Sequence, residues 1–203
     1  MAARLGFHYV DTGAMYRCVA LAAIRSGLDL SDAGGAAALA DSLSIEFREA
    51  SAGRRIVLDG EDVTEAIRTP EVSEAASIVS LVPGVRAALV ARQRRLGSSG
   101  GVVMEGRDIG TVVFPDADVK VFLQASLESR ARRRFEELRA RGVDVELEEV
   151  RRAQADRDRR DATRALSPMR PAADAVILDT TDRSVAEVVD VILRLVRDRT
   201  GVV

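Results

Sequence analysis

The sequence predicts an α/β protein with a parallel sheet flanked by helices, and three observations carry that prediction. Short apolar runs recur at 7–10, 102–104, 119–123 and 175–178. A polar or glycine-bearing turn closes each run, and stretches of helical period follow. Strands that alternate with helices in this way pair in parallel, with the helices covering the sheet. A chain of 203 residues with 47 % apolar and 31 % charged residues can fill one core and solvate its surface, so one domain with an insertion is expected.

Residues 1–6 read as the last turn of a helix closed at Gly6, the residue type favoured just past a helix C-terminus. One turn cannot sustain itself, because nucleation orders several residues for a single hydrogen bond. The chain is therefore expected to open inside an element, a frayed terminus being the plainer alternative. The strand at 7–10 leads through Asp11, Thr12 and Gly13 into a helix over 14–26, with Asp11 or Thr12 as its cap. Between 28 and 100 the pattern changes. An alanine-rich helix precedes two alternating runs at 44–48 and 55–58, which the connection at 49–54 folds into an antiparallel hairpin. Helices near 70–80 and 85–96 follow, and the flexible GSSGG at 97–101 closes this inserted subdomain. Strand and helix then alternate again. The arginine-rich stretch 128–164 divides into two helices at Gly142-Val143-Asp144, and a final helix carries a stripe of Val185, Val188, Val189, Ile192, Leu193 and Val196 that is expected to lie on the sheet.

Composition narrows the function. Thirty basic against 32 acidic residues leave a net charge of -2, without the electrostatic excess of a general nucleic-acid binder. An aromatic content of 3 % and the absence of Trp weaken any base-stacking platform, so the arginine-rich helices are not expected to form an RNA surface. The single cysteine, Cys18, has no internal disulfide partner, and no export signal or long apolar run opens the chain. A cytoplasmic monomer, with neither membrane nor nucleic acid as partner, is the expectation. Among the 30 basic residues Lys120 is the one lysine; genome composition explains such a bias as well as a need for planar guanidinium groups does.

Ligands of parallel sheets sit beyond the carboxyl ends of the strands, which directs attention to three loops. DTGAMYR places Arg17 one turn into a helix, EGRDIG sets Arg107 and Asp108 between two glycines, and ADRDRRDATR repeats Arg157, Asp161 and Arg164 at helical spacing. Taken singly, the first reads as an N-cap with a surface arginine and the third as a solvated charge run, while two glycines around an ion pair are less easily explained by a turn alone. Together they supply guanidinium groups from separate segments that would repel one another without an anion between them, so a phosphorylated ligand is expected. His8 reads as a packing or surface residue and Cys18 as core, and no His and Cys cluster suggests a metal.

DTGAMYR, RTPEVSEAAS, PGVRAALVARQRRL, EGRDIGTVVFPDADVKVFL and RDRRDATRALSPMRPAADAVILDTT, in this order, resemble the bacterial cytidylate kinase family of nucleoside monophosphate kinases. The resemblance covers essentially the whole chain. It implies a P-loop kinase core at 1–27 and 101–203 with an arginine-rich lid near 128–164, and an acceptor-binding subdomain at 28–100. It implies transfer of the ATP γ-phosphoryl group to CMP or dCMP, with Mg2+ carried by the nucleotide. Ser77, Arg86, Asp108 and Arg164 would recognise the pyrimidine, and Thr12, Arg17 and Arg107 would serve the acceptor phosphate and its surroundings. Arg157 and Asp161 would address the ribose. Arg107 with Arg130, Arg133 and Arg134 would neutralise the transferring phosphoryl, and lid residues Arg132 and Arg133 would face the donor.

One departure stands out. No G-x-x-x-x-G-K-[ST] occurs in these residues, and Lys120, inside VKVF, cannot replace its lysine. By the family's pattern, the first strand and its phosphate loop, roughly two dozen residues, are expected to be missing, and donor binding with them. A start assigned too late and a remnant that binds nucleotide or partner without catalysis are the two readings of that departure. Glu105 stands before Gly106-Arg107-Asp108 where the family often has Asp, a change of reach toward a Mg-bound water.

Overall fold

The structure is a computed structural model that describes residues 1–50, 53–164 and 166–202. It divides into two compact units, the first made of Gly6–Ile109 with Ala2, the second of Gly110–Val203 with Met1 and Ala3–Leu5. A four-residue helix, α1 (Ala2–Leu5), opens the chain where a terminal helical turn was expected.

In the first unit, β1 (His8–Asp11) pairs in parallel with β5 (Val102–Glu105), His8 opposite Val102 and Asp11 opposite Glu105. Asp11 ends β1 and caps α2 (Thr12–Ser26) in the same step, its carboxylate accepting from the Ala14 amide at 2.9 Å. The helix therefore begins two residues earlier than its apolar spacing suggested. α2 runs through the core, with Met15, Cys18 and Val19 sealed against Val63, Ile67, Val79 and Leu89. Each large aliphatic side chain buried so completely stabilises the unit by roughly 1.5–3 kcal/mol. α3 (Ala33–Ser42) and α5 (Pro83–Gly97) approach so closely that a Cβ on Gly84 would lie 2.4 Å from the Ala37 Cβ, a spacing only glycine allows. α4 (Pro70–Val79) starts on the Thr69 hydroxyl, which accepts from the Val72 amide, with Pro70 in the first turn where its missing N–H costs nothing.

The hairpin β2 (Ile45–Ala50) and β3 (Gly53–Leu58) is longer than expected, because the register continues to Ala50 opposite Gly53. Residues 51 and 52 of the expected connection lie outside the described residues. A short β4 (Glu61–Asp62) extends this antiparallel sheet, and a 3-10 turn spans Ala66–Arg68.

In the second unit, β6 (Val121–Gln124) and β7 (Val176–Asp179) form a second parallel pair. Parallel pairing is thus present, delivered by two two-stranded ladders. Along the chain between β6 and β7, α6 (Leu127–Ala140) and α7 (Leu147–Thr163) pack side by side, the turn at Gly142 separating them as expected. α8 (Val185–Thr200) buries Ile192 and Val196 against Leu178, Val119 and Val121. Its stripe begins later than expected: Val185 is 82 % exposed. A four-residue strand pair covers about 13 Å, while a helix of this length extends about 24 Å, so its first turn overhangs. Among the described residues, no single helix is long and apolar enough to cross a membrane.

Candidate active site

The loop after β5 is held from beneath by the start of α2. Thr12, buried, donates its hydroxyl to the Glu105 carbonyl at 2.7 Å. Gly106 follows, and a Cβ there would meet the Thr12 Oγ1 at 2.4 Å. Glycine is therefore demanded by the backbone's approach to Thr12. The Tyr9 hydroxyl donates to Glu105 Oε1 from the neighbouring strand. Burial, that hydrogen bond and the carboxylates of Glu105 and Asp11 raise the Tyr9 hydroxyl well above the usual tyrosine range, against the opposing charge of Arg54, 4.8 Å from the ring centre. After Asp108 the chain makes a π-helical turn, Ile109–Val113, where the sequence suggested only an open loop.

Asp108 faces α5. Its carboxylate accepts from Arg86 Nη2, and both side chains are buried. Arg86 Nη1 donates to the Ser80 carbonyl at 3.3 Å, and the Ser80 hydroxyl donates to the Ser77 carbonyl at 2.8 Å. The Ser77 hydroxyl, buried beside this network, has no protein partner among the described residues. The Arg86 guanidinium lies over the Tyr16 ring at 5.8 Å. Three of the expected pyrimidine-recognising residues, Ser77, Arg86 and Asp108, therefore share one network. Ser80 and Tyr16 belong to it and were missed; Ser80 lies one helical turn after Ser77, the one hint the sequence offered. Arg17 donates to Asp11 Oδ2 at 2.8 Å, and Arg107 is exposed on the loop.

The second unit gathers the other expected residues. Asp161, buried near the end of α7, has Arg157 Nε and Arg164 Nη1 each at 3.8 Å. Arg164 does not continue the helix as its spacing suggested. It is the C-cap, with φ -60 and ψ 138, and its Nε donates to the Ser167 carbonyl while the Met169 amide returns to the Asp161 carbonyl at 2.8 Å. The helix stops at Thr163 because the Arg164 backbone turns extended, and further on Ser167 takes a left-handed φ of 51 before Pro168. On α6, Arg130 binds Asp158 at 2.6 Å, Arg134 binds Glu137 at 2.8 Å, Arg133 donates to the Thr180 carbonyl, and Arg132 is exposed. Of the five N–H donors that each guanidinium carries, these bonds use only some, so an engaged arginine can keep its partner and still donate to a phosphate oxygen.

Lys120 is buried and donates to both oxygens of Asp174, at 2.9 and 2.7 Å, holding that carboxyl below the usual carboxylate range. It is a structural clamp. His8 is exposed on β1 and Cys18 is buried in the core. No group of three or more His, Cys, Asp or Glu able to hold a metal ion occurs among the described residues.

A buried donor and acceptor set next in the chain to the exposed Arg107 suits a ligand with a polar ring and an anionic end. The cytidylate kinase family model matches residues 1–198. A cytidylate kinase of Pelotomaculum thermopropionicum is 56 % identical over 190 residues, 93 % of this chain and 84 % of that protein. One from Solibacter usitatus is 52 % identical over 201 residues, 98 % of this chain and 85 % of the relative. A third, from Pseudomonas aeruginosa, is 48 % identical over 200 residues, covering 96 % and 86 %.

Proposed function

The chain belongs to the cytidylate kinase family of nucleoside monophosphate kinases, and from that premise we propose that it recognises CMP or dCMP as the acceptor of the ATP γ-phosphoryl group, releasing CDP or dCDP and ADP. The observation that carries this reading is the buried network of Ser77, Ser80, Arg86 and Asp108. A carboxylate that accepts from the exocyclic amine of cytosine, guanidinium donors for its carbonyl and ring nitrogen, and an unspent hydroxyl complement that base edge. Arg164 adds a further donor to the base. Thr12, Arg17 and Arg107 serve the acceptor phosphate, and Arg157 with Asp161 the ribose. Residues 28–100 form the acceptor subdomain and 128–164 the lid, in a monomer without nucleic-acid or membrane partner.

Phosphoryl transfer asks the protein for position and charge more than for covalent chemistry. Arg107 with Arg130, Arg133 and Arg134 would balance the moving charge, and Arg132 with Arg133 would approach the donor. Glu105 would suit a nucleotide-borne Mg2+: its carboxylate is exposed, Tyr9 donates to one oxygen, and the other would accept from a metal-bound water. The ion would supply neutralisation of phosphate charge. These 203 residues contain no G-x-x-x-x-G-K-[ST], so the reading gives them acceptor recognition and makes turnover depend on a donor cradle outside them. A nucleotide-binding role without catalysis is the second reading, favoured by that same absence.

ADP release from ATP and CMP separates the two. The 203-residue chain is compared with one extended to the next upstream in-frame start, both checked for folding. Turnover by the extended chain alone supports the kinase reading. Turnover by neither favours binding without catalysis, and equal turnover by both shows that the donor is cradled elsewhere in these residues.

A further inference from the structure

The Tyr16 side chain, which none of the motif spacings singles out, packs partly against the core of the first unit and presents its ring to Arg86 at 5.8 Å. Arg86 is the cation whose direction matters most in the proposed base site, because its buried guanidinium is already committed at two donors. One goes to Asp108 and one to the Ser80 carbonyl. Two hydrogen bonds on one edge fix the plane only if something supports the face of the group. A ring within about 6 Å does so electrostatically, and more strongly where water is excluded. Arg86 and Asp108 are 5 % and 6 % exposed, so water is excluded here. Lysine would not serve in place of arginine, since only the planar fork can bond along its edge and rest on a ring at once.

We propose that Tyr16 is a positioning residue for base specificity: its ring sets the plane of Arg86, and through Arg86 the direction of the donors offered to the pyrimidine. The inference rests on the acceptor reading above and adds the residue that makes it selective. Tyr16 follows Met15 and precedes Arg17 on α2, so one helix anchors the core, orients the base reader and carries a phosphate arginine.

The test uses the 203-residue chain and calorimetric binding of two probes, CMP and ribose 5-phosphate, the second lacking the base. Tyr16→Leu and Tyr16→Met keep apolar bulk and remove the ring, so that one folded variant suffices; Tyr16→Phe keeps the ring. The expected result is CMP binding at least tenfold weaker in the Leu or Met variant, ribose 5-phosphate unchanged, and CMP affinity restored to within about threefold in Tyr16→Phe. A ring-less variant with wild-type CMP affinity overturns the inference. So does parallel loss of both probes, which marks a structural role, or failure of Phe to rescue. Wild-type binding of CMP no tighter than ribose 5-phosphate overturns the acceptor reading itself, and the inference with it.

Discussion

Arg86 and Asp108, 22 residues apart in the chain, meet as a buried ion pair between α5 and the loop after β5. Two charges taken out of water cost several kcal/mol unless each repays the other, and removing one partner strands its mate. Arg86→Met alone is therefore expected to lower stability by ~3–5 kcal/mol. The double variant Arg86→Met with Asp108→Leu should lose clearly less than the sum of the two single changes. Urea denaturation of the four proteins measures this, and additive losses would show that the pair is not coupled.

Arg164 lies at the end of α7 with its side chain buried against Asp161. Charge-assisted hydrogen bonds contribute about 1.5–3 kcal/mol, so Arg164→Ala is expected to weaken CMP binding at least about tenfold. AMP, whose base presents a different edge, should bind as weakly as before. Equal loss for the two nucleotides would remove Arg164 from base recognition.

Gly106 faces the Thr12 hydroxyl across a gap that admits no side chain. Thr12 is buried and already bonded to the Glu105 carbonyl, so it cannot give way without breaking that bond. Gly106→Ala is expected to cost about 1–3 kcal/mol of stability and to weaken nucleotide binding by displacing the loop that carries Arg107 and Asp108. Unchanged melting and CMP affinity would mean that the loop adapts freely.

Cys18 is sealed in the core, and burial pushes its thiol well above the ordinary cysteine range, up to about 12. The native state favours the protonated thiol, so its contribution to stability is complete below about pH 9 and is lost as pH rises from there toward 12. Ellman's reagent at pH 8 should leave the folded protein unlabelled and label it stoichiometrically in urea. Cys18→Ala should reduce the fall in stability above pH 9. Rapid labelling of the folded chain would contradict this placement.

Much of the fold was legible in the sequence because local chemistry and tertiary packing agree there. Asp11, Ser126 and Ser184 each stand where a helix begins, and each caps one. The apolar runs at β1, β5, β6 and β7 lie within one or two residues of their strands. The π-helical turn at Ile109–Val113 was hidden, since Ile-Gly-Thr-Val-Val has β-branched side chains that suit a strand as well. Arg164 was read as part of α7 although it stands one residue past its end, because regular charge spacing does not reveal that its own backbone turns extended there. In the candidate site, motif residues were legible by pattern. Tyr16 and Ser80 were not, because their roles come from α4, α5 and α2 packing together, a fact of tertiary structure.

Calorimetric titration of the 203-residue chain with CMP and with AMP tests the central claim most directly, since it asks whether the buried network reads a pyrimidine without requiring transfer. The account predicts that CMP binds at least tenfold more tightly than AMP, and that Asp108→Asn abolishes the difference while the protein stays folded. Equal affinity for the two nucleotides in the folded wild-type chain would contradict it.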